Sequence, residues 1–315
     1  MGVRESAEAA LDCLGVQGGD VVAVVFNDEQ RSIAEALALA ANRRARAVTL
    51  LEFEATSRHG EEPPANVAEA MLAADVVLAP TSKSLSHTVA RQAATQRGAR
   101  IATLPTITEE IFVRALPIDY SELNRISQSV AARLTAASRA RVTSPAGTDI
   151  VVTLEGREGR SDDGNLQQRE AFGNLPAGEG YIAPIETTGD GMIVIDGSLA
   201  GYGRLADPVS LTVRHGRAVD ASGDVGQWLM TTLEAGGEHG RSLAELGVGT
   251  NLGARLTGNV LEDEKASGTA HFAFGASQGL GGANAATVHV DGVMLDVRIE
   301  LDGDTLLDDG RLKLV

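Results

Sequence analysis

The sequence predicts an α/β protein of two domains, an N-terminal parallel α/β domain of Rossmann-like type followed by a strand-rich α+β domain. Three observations support this prediction. Short valine-rich apolar runs alternate with helix-like segments over the first half of the chain, as in a parallel sheet covered by helices on both faces. The second half shows the two-residue alternation of half-buried strands, interrupted by glycine and aspartate. A length of 315 residues is typical of two domains.

Strands and helices alternate along the first half. We expect strands at 20–26, 46–52, 75–80 and 100–105, and helices at 2–14, 28–43, 65–74, 83–97 and 119–137. The turn after the first strand, FNDEQRS, has two acids and no glycine, so it lacks the glycine-rich sequence that binds a dinucleotide phosphate. We place the domain boundary near 138–140, which gives an α/β domain over 1–138 and a strand-rich domain over 139–315, with one helix at 223–235.

Charge and composition exclude several classes of function. Aspartate and glutamate outnumber lysine and arginine by 43 to 27, for a formal net charge of −16. This surface repels phosphate backbones and anionic membranes, so we expect neither nucleic acid nor a membrane as a partner. The single cysteine, Cys13, permits no disulfide within the chain. We find no signal peptide and no apolar run of 18 residues, and we expect a cytoplasmic protein.

Histidines in the second half indicate a metal site. In the segment ATVHVDGVM, His289 and Asp291 are two positions apart, so a strand would direct both side chains to one face. His271, in TAHFAFG, would share a face with small residues, while Phe272 and Phe274 would point into the core. The alternatives are a half-exposed strand with a chance His-x-Asp pair, and an interior histidine bound to a backbone carbonyl.

Three glutamates lie in comparable settings. Glu179 stands between glycines in NLPAGEGYIAP, Glu245 stands among apolar residues in LAELGVGTN, and Glu264 belongs to the acidic run LEDEK beside a basic residue. Each is also compatible with an ordinary surface acid. Together with the two histidines and Asp291 they form a donor set that Zn, Mn, Co or Fe(II) prefers. That many carboxylates could hold two ions with one shared acid, which is an arrangement of hydrolytic enzymes.

The order of these segments resembles the aminopeptidase T family of metallopeptidases, over most of residues 140–300. The resemblance implies an α/β N-terminal domain, a C-terminal two-metal site and a homodimer. It also implies that six residues bind metal, with Glu245 bridging the ions or acting on the metal-bound water: Glu179, Glu245, Glu264, His271, His289 and Asp291. The expected function is a metal-dependent hydrolase that removes N-terminal amino acids from peptides or cleaves a related amide, using one or two Zn, Co or Mn ions.

Two departures from the family pattern leave other functions open, and the first is a spacing between Glu264 and His271 that is two residues longer than in the peptidases. The tyrosine that follows the family's histidine by seven residues is replaced by Gln278, whose amide could still hydrogen-bond an oxyanion. The alternative is a mononuclear non-haem Fe(II) ring-cleaving dioxygenase resembling 2,5-dihydroxypyridine dioxygenase, with His289, Asp291 and either His271 or Glu245 as ligands. That resemblance puts a histidine near position 245, where this chain has glutamate. A third possibility is a metal-binding relative with altered or no catalysis.

Overall fold

The computed structural model describes residues 2–313 and divides into two compact units. The first unit comprises residues 1–120 and 164–177, and the second comprises 121–163 and 178–315. The predicted domain boundary, near 138–140, lies just after the end of the helix Tyr120–Ala136. The two units instead divide at the start of that helix. The helix joins the second unit because Val130 and Leu134 are fully buried in its core.

The first unit contains a five-stranded parallel sheet. Its helices are α1 (Val3–Cys13), α2 (Arg31–Ala41), α3 (Ala65–Ala73), α4 (Val89–Gln96) and α5 (Glu109–Ala115). Its strands are β1 (Val21–Phe26), β2 (Ala47–Glu52), β3 (Val76–Thr81), β4 (Arg100–Pro105) and β8 (Phe172–Asn174), in the order β2-β1-β3-β4-β8. The predicted parallel α/β domain is therefore confirmed, and its valine-rich strands β1 and β3 are buried as such a sheet requires.

Three local features of this unit differ from the prediction. Helix α4 begins at Val89 rather than at 83, because the side chain of Thr88 caps it by accepting a hydrogen bond from the Arg91 amide at 3.2 Å. Residues 28–30 form a 3-10 turn before α2. Helix α5 and the returning strand β8 were not predicted, since β8 has only three residues and pairs with a strand far earlier in the chain.

Over its described residues, up to 313, the second unit contains two sheets and three α-helices. The helices are α6 (Tyr120–Ala136), α7 (Gly223–Ala235) and α8 (Val260–Asp263). The eight-stranded sheet has β5 (Arg139–Thr143), β6 (Asp149–Thr153), β10 (Asp190–Ile195), β13 (Val209–Arg214), β14 (Arg217–Ala221), β18 (Arg298–Leu301), β19 (Asp304–Asp308) and β20 (Arg311–Leu312). The seven-stranded sheet has β7 (Arg160–Asp162), β9 (Glu179–Ile182), β11 (Ser198–Leu199), β12 (Gly203–Arg204), β15 (Leu243–Gly249), β16 (Ala270–Gly275) and β17 (His289–Met294).

One face of the seven-stranded sheet builds the core of the second unit. Phe272 and Phe274 of β16, Leu246 of β15 and Val290 of β17 are buried in a single hydrophobic cluster with residues of the eight-stranded sheet. Because side chains alternate along a strand, the residues between them point to the opposite face. Within residues 2–313, no helix combines the length and the apolar character needed to cross a membrane.

Candidate metal centre

The strand register brings Glu245, His271, His289 and Asp291 onto the face opposite the hydrophobic core. Ala273 in β16 is paired with Glu245 of β15 on one side and with Asp291 of β17 on the other. His271 lies two residues from Ala273, and His289 two residues from Asp291, so all four polar side chains share that face. A register irregularity between Leu243 and Glu245 marks the place where β15 turns its carboxylate toward this site.

Small residues on this face leave room for the imidazole of His271. The ring lies over Gly247, its partner across the β15–β16 pair. A Cβ atom at Gly247 would stand 2.2 Å from both Cε1 and Nε2 of His271, which is far inside van der Waals contact. The imidazole can occupy this position only because residue 247 is a glycine.

His289 has the geometry of an oriented metal ligand. Its Nδ1 lies 2.8 Å from the carbonyl oxygen of Ala276, to which the protonated nitrogen donates a hydrogen bond. The other ring nitrogen, Nε2, faces two carboxylates, with Glu245 Oε2 at 3.2 Å and Asp291 Oδ1 at 3.3 Å. Metal-binding histidines characteristically donate their second nitrogen to a carbonyl or carboxylate, which fixes the tautomer and the ring orientation.

His271 faces the other oxygen of the same glutamate. Its Nε2 lies 3.6 Å from Glu245 Oε1 and 3.4 Å from Glu179 Oε2. Glu245 is therefore flanked by both histidines, one at each carboxylate oxygen. We call the part of the site around Glu179 and His271 its inner end. Two buried atoms there, Glu179 Oε2 and His271 Nδ1, have no hydrogen-bond partner among residues 2–313. A buried carboxylate oxygen without a hydrogen bond is costly, and the positive charges of Lys265 and His271 beside Glu179 reduce that cost.

Three groups of donors could hold an ion, and in each the donor atoms lie within 4.8 Å of one another. The groups are Glu179–Glu245–His271, Glu245–His289–Asp291 and Glu264–His271–Asp291. All six residues predicted as metal ligands are members of at least one group. Gln278, predicted as a catalytic residue, is exposed in a 3-10 turn (Gln278–Leu280), and over the described part of the chain no hydrogen bond joins it to these donors.

The structure adds a lysine and a further acid that the sequence analysis did not select. The Lys265 side chain is only 2% exposed, and its Nζ lies 2.5 Å from Glu179 Oε1, 2.9 Å from Glu264 Oε1 and 3.6 Å from Asp162 Oδ2. The basic residue within LEDEK was the available signal for Lys265. Asp162 closes the short strand β7 and is paired with Glu179 in the sheet, which no local pattern indicates.

Burial has the largest effect on the pKa values of the ionisable groups around Lys265. It raises the pKa of Glu264 to about 8, opposed by Lys265 and assisted by the charges of Asp291 and Glu179. It raises the pKa of Asp162 to about 7, again against the charge of Lys265. Burial would lower the pKa of Lys265, but the surrounding carboxylates raise it well above its ordinary value. The ammonium group therefore stays charged at neutral pH.

Around the two histidines, the charges of neighbouring groups shift the pKa values further than burial does. Burial alone would lower the pKa of His271, but the neighbouring carboxylates of Glu245 and Glu179 raise it to about 9. Burial would also lower the pKa of His289, but Asp291 and Glu245 raise it well above its ordinary value. Burial would raise the pKa of Glu245, yet both histidines lower it. Without a metal, the site holds imidazolium–carboxylate pairs, whose protons a divalent ion would displace.

Tyr181 is a third residue that the sequence analysis missed. It lies two positions from Glu179 in β9 and is paired with Gly247, so it shares the polar face of the sheet. Burial and the charges of Glu245 and Glu179 raise the pKa of its phenol. Tyr181 consequently keeps its proton at neutral pH and is available as a hydrogen-bond donor.

These donors form a candidate divalent-metal centre in an enzyme of mixed α/β fold. The chain belongs to the NicX family, 2,5-dihydroxypyridine 5,6-dioxygenase, whose model matches residues 3–314. It is similar in structure to a 2,5-dihydroxypyridine dioxygenase from Pseudomonas putida KT2440, with a TM-score of 0.83 at 19% identity over 98% of this chain and 96% of that chain.

The chain is also similar in structure to wild-type AmpT from Thermus thermophilus, with a TM-score of 0.74 at 21% identity over 98% of this chain and 99% of that chain. A search among curated proteins gives no match. The likeness to AmpT supports the predicted aminopeptidase T-like fold. The sequence analysis placed the hydrolase first and the dioxygenase second, whereas the family match favours the dioxygenase.

Proposed function

We propose that the protein is a mononuclear Fe(II)-dependent dioxygenase that cleaves the ring of a dihydroxypyridine. The observation that carries this proposal is the family match, which extends over residues 3–314 and so includes every donor of the site. The structural similarity to a dioxygenase over nearly the whole of both chains agrees with it. The donor chemistry is compatible, because imidazole and carboxylate ligands with open positions are typical of non-haem iron oxygenases.

One end of the site is better suited to a reacting ion than the other. The side chains of His289 and Asp291 are 21% and 13% exposed, whereas those of His271 and Lys265 are 1% and 2% exposed. We therefore assign the ion to Glu245, His289 and Asp291, where dioxygen and an organic substrate can approach. His271 contacts the far oxygen of Glu245 and orients that carboxylate. When bound, iron supplies the redox chemistry that lets dioxygen react with the ring, which zinc does not.

The glutamate at 245 distinguishes this chain from the two-histidine pattern expected of the dioxygenase. A set of one histidine and two carboxylates is harder and more anionic than a set of two histidines and one carboxylate. It therefore favours hard divalent cations over softer ones. His271 offsets part of that added charge, because its raised pKa of about 9 keeps it protonated beside Glu245 in the metal-free protein. We expect iron binding that is more sensitive to pH than binding by a two-histidine, one-carboxylate site.

Residues of the chain also provide polar contacts for a hydroxylated ring. Glu264, with a pKa raised to about 8, can exchange a proton with a substrate hydroxyl near neutral pH. The Tyr181 phenol remains a donor under the same conditions. In the balanced reaction, one dihydroxypyridine and one O₂ give one acyclic product. The C5–C6 bond breaks, C5 becomes a carboxyl carbon and C6 a formyl carbon on nitrogen, and no other reductant is needed.

The test uses the full chain reconstituted anaerobically with Fe(II). After 2,5-dihydroxypyridine is added, an oxygen electrode should record one O₂ consumed for each ring whose absorbance is lost. His289→Ala should abolish the reaction, whereas His215→Ala should not, since His215 is 86% exposed and lies outside the donor groups. Absence of O₂ uptake by the Fe(II)-loaded protein with this substrate would contradict the proposal.

A metal-dependent hydrolase is the second candidate, and one observation favours it. Glu245 belongs to two of the three donor groups, so its two oxygens could bridge a pair of ions. Release of amino acids from aminoacyl amides by the Zn-, Co- or Mn-loaded protein, without O₂ uptake, would establish this function in place of the dioxygenase.

A further inference from the structure

The position of Lys265 bears on how many ions the site can hold. Its ammonium group is enclosed by Glu179, Glu264 and Asp162, all within 3.6 Å of Nζ. Glu179 and Glu264 are also members of the two donor groups that contain His271. A divalent ion in either of those groups would therefore compete with the ammonium group for the same carboxylates.

The backbone holds Lys265 in this position from both sides. Its amide donates a hydrogen bond to the Glu262 carbonyl at 3.0 Å, and its carbonyl accepts one from the Asn251 amide at 2.8 Å. The side chain is only 2% exposed, and its ammonium group contacts Glu179 and Glu264 directly. The positive charge is thus a fixed part of the inner end of the centre.

We propose that Lys265 is a built-in cation that fills the second cation position of this site and limits the protein to one divalent ion, held by Glu245, His289 and Asp291. A second divalent ion at the inner end would stand a few ångströms from the ammonium group in a poorly hydrated place. Coulomb repulsion at that separation should weaken its binding roughly 100-fold or more. The inference rests on the proposed function in that a single ion is what a mononuclear dioxygenase requires.

The lysine also explains how the carboxylates can be buried together. Burial of a carboxylate without a counter-charge is strongly unfavourable. Lys265 contacts Glu179 and Glu264 directly and lies near Asp162, while the outer ion would compensate Glu245 and Asp291. One ammonium group and one divalent ion therefore divide the acids of the site between them.

The experiment compares metal content in wild type, Lys265→Met and Lys83→Met. Lys265→Met keeps the length of the side chain and removes its charge, and Lys83→Met makes the same change in the other unit of the chain. Each purified protein is equilibrated with excess Mn(II), desalted and analysed by inductively coupled plasma mass spectrometry. Calorimetric titration with Mn(II) gives the affinity of each site. We expect one ion per chain in wild type and Lys83→Met, and two in Lys265→Met.

Two ions per wild-type chain, or one ion in folded Lys265→Met, would overturn the proposal. If Lys265→Met does not fold without metal, Lys265→Gln replaces it, because the neutral amide can still donate hydrogen bonds to Glu179 and Glu264. The expected count is again two, and a count of one overturns the proposal. The metal count is separate from activity: one ion without O₂ uptake would contradict only the dioxygenase, and two ions with O₂ uptake would contradict only the role of Lys265.

Discussion

Substitution of Gly247 by alanine should impair metal binding without touching a ligand. The added Cβ would stand 2.2 Å from Cε1 and Nε2 of His271, so the ring must move by about 1 Å or more to reach ordinary contact. His271 orients Glu245 through a contact of 3.6 Å, and a shift of that size breaks the alignment. Loss of a residue that orients a ligand typically weakens metal affinity by about 10–100-fold.

The assay is calorimetric titration of the metal-free protein with Mn(II), together with the melting temperature. Gly279→Ala is the matched control, because a Cβ at Gly279 has nothing within 4 Å. We expect Gly247→Ala to be destabilised by about 1–3 kcal/mol, as for other overpacked buried sites, and to bind Mn(II) at least ~10-fold more weakly. Unchanged affinity in folded Gly247→Ala would refute the role of His271 in orienting Glu245.

Four further predictions concern the site and its support. His289→Ala should lose the bound ion, as measured by metal analysis, while His215→Ala keeps it; unchanged metal content in His289→Ala would show that the site is misplaced. Metal affinity should rise with pH, by about tenfold per unit for each proton displaced, because His289 must lose a proton to bind the ion and Asp291 and Glu245 raise its pKa well above the ordinary value. The His271 pKa of about 9 lies above its unfolded value near 6.5, which stabilises the metal-free protein fully below about pH 6.5; this contribution is lost as the pH rises through 9, so denaturant unfolding of metal-free protein should show falling stability over that range. Phe272→Ala should cost about 3–5 kcal/mol in denaturant unfolding, against less than about 0.5 kcal/mol for Leu252→Ala, since Phe272 is fully buried and Leu252 is 75% exposed.

The sequence allowed much of the site to be predicted because local periodicity determines which side chains share a strand face. His289 and Asp291 are two positions apart on β17, and His271 alternates with the buried Phe272 on β16. Their convergence with Glu245 follows from the register of neighbouring strands. That register could be predicted only through resemblance to a known family.

Other features depend on contacts between distant parts of the chain. Lys265 meets Glu179 across 86 positions, and Asp162 reaches the site through a strand of three residues. No local pattern distinguishes such a buried lysine from the solvated basic residue that usually accompanies an acidic run. The same limit applies to β8, which pairs with β4 but is separated from it in the sequence by residues 121–163 of the second unit.

The glutamates of the site explain why the sequence alone favours a hydrolase. Glu245 and its companion glutamates resemble a two-metal ligand set, and that set outweighed the histidine pattern of the dioxygenase. A count of carboxylates could not reveal that Lys265 already supplies one positive charge to them. The number of acids in this site therefore does not by itself give the number of metal ions, because Lys265 contacts two of the same carboxylates.

Isotope labelling tests the proposed dioxygenase most directly. The Fe(II)-loaded protein is mixed with 2,5-dihydroxypyridine under ¹⁸O₂, and the acyclic product is analysed by mass spectrometry. The account predicts that both atoms of one O₂ molecule are recovered in that product, with a mass four units above the unlabelled compound. A product that takes its oxygen from water, or an unreacted ring beside hydrolysed aminoacyl amide, would contradict it.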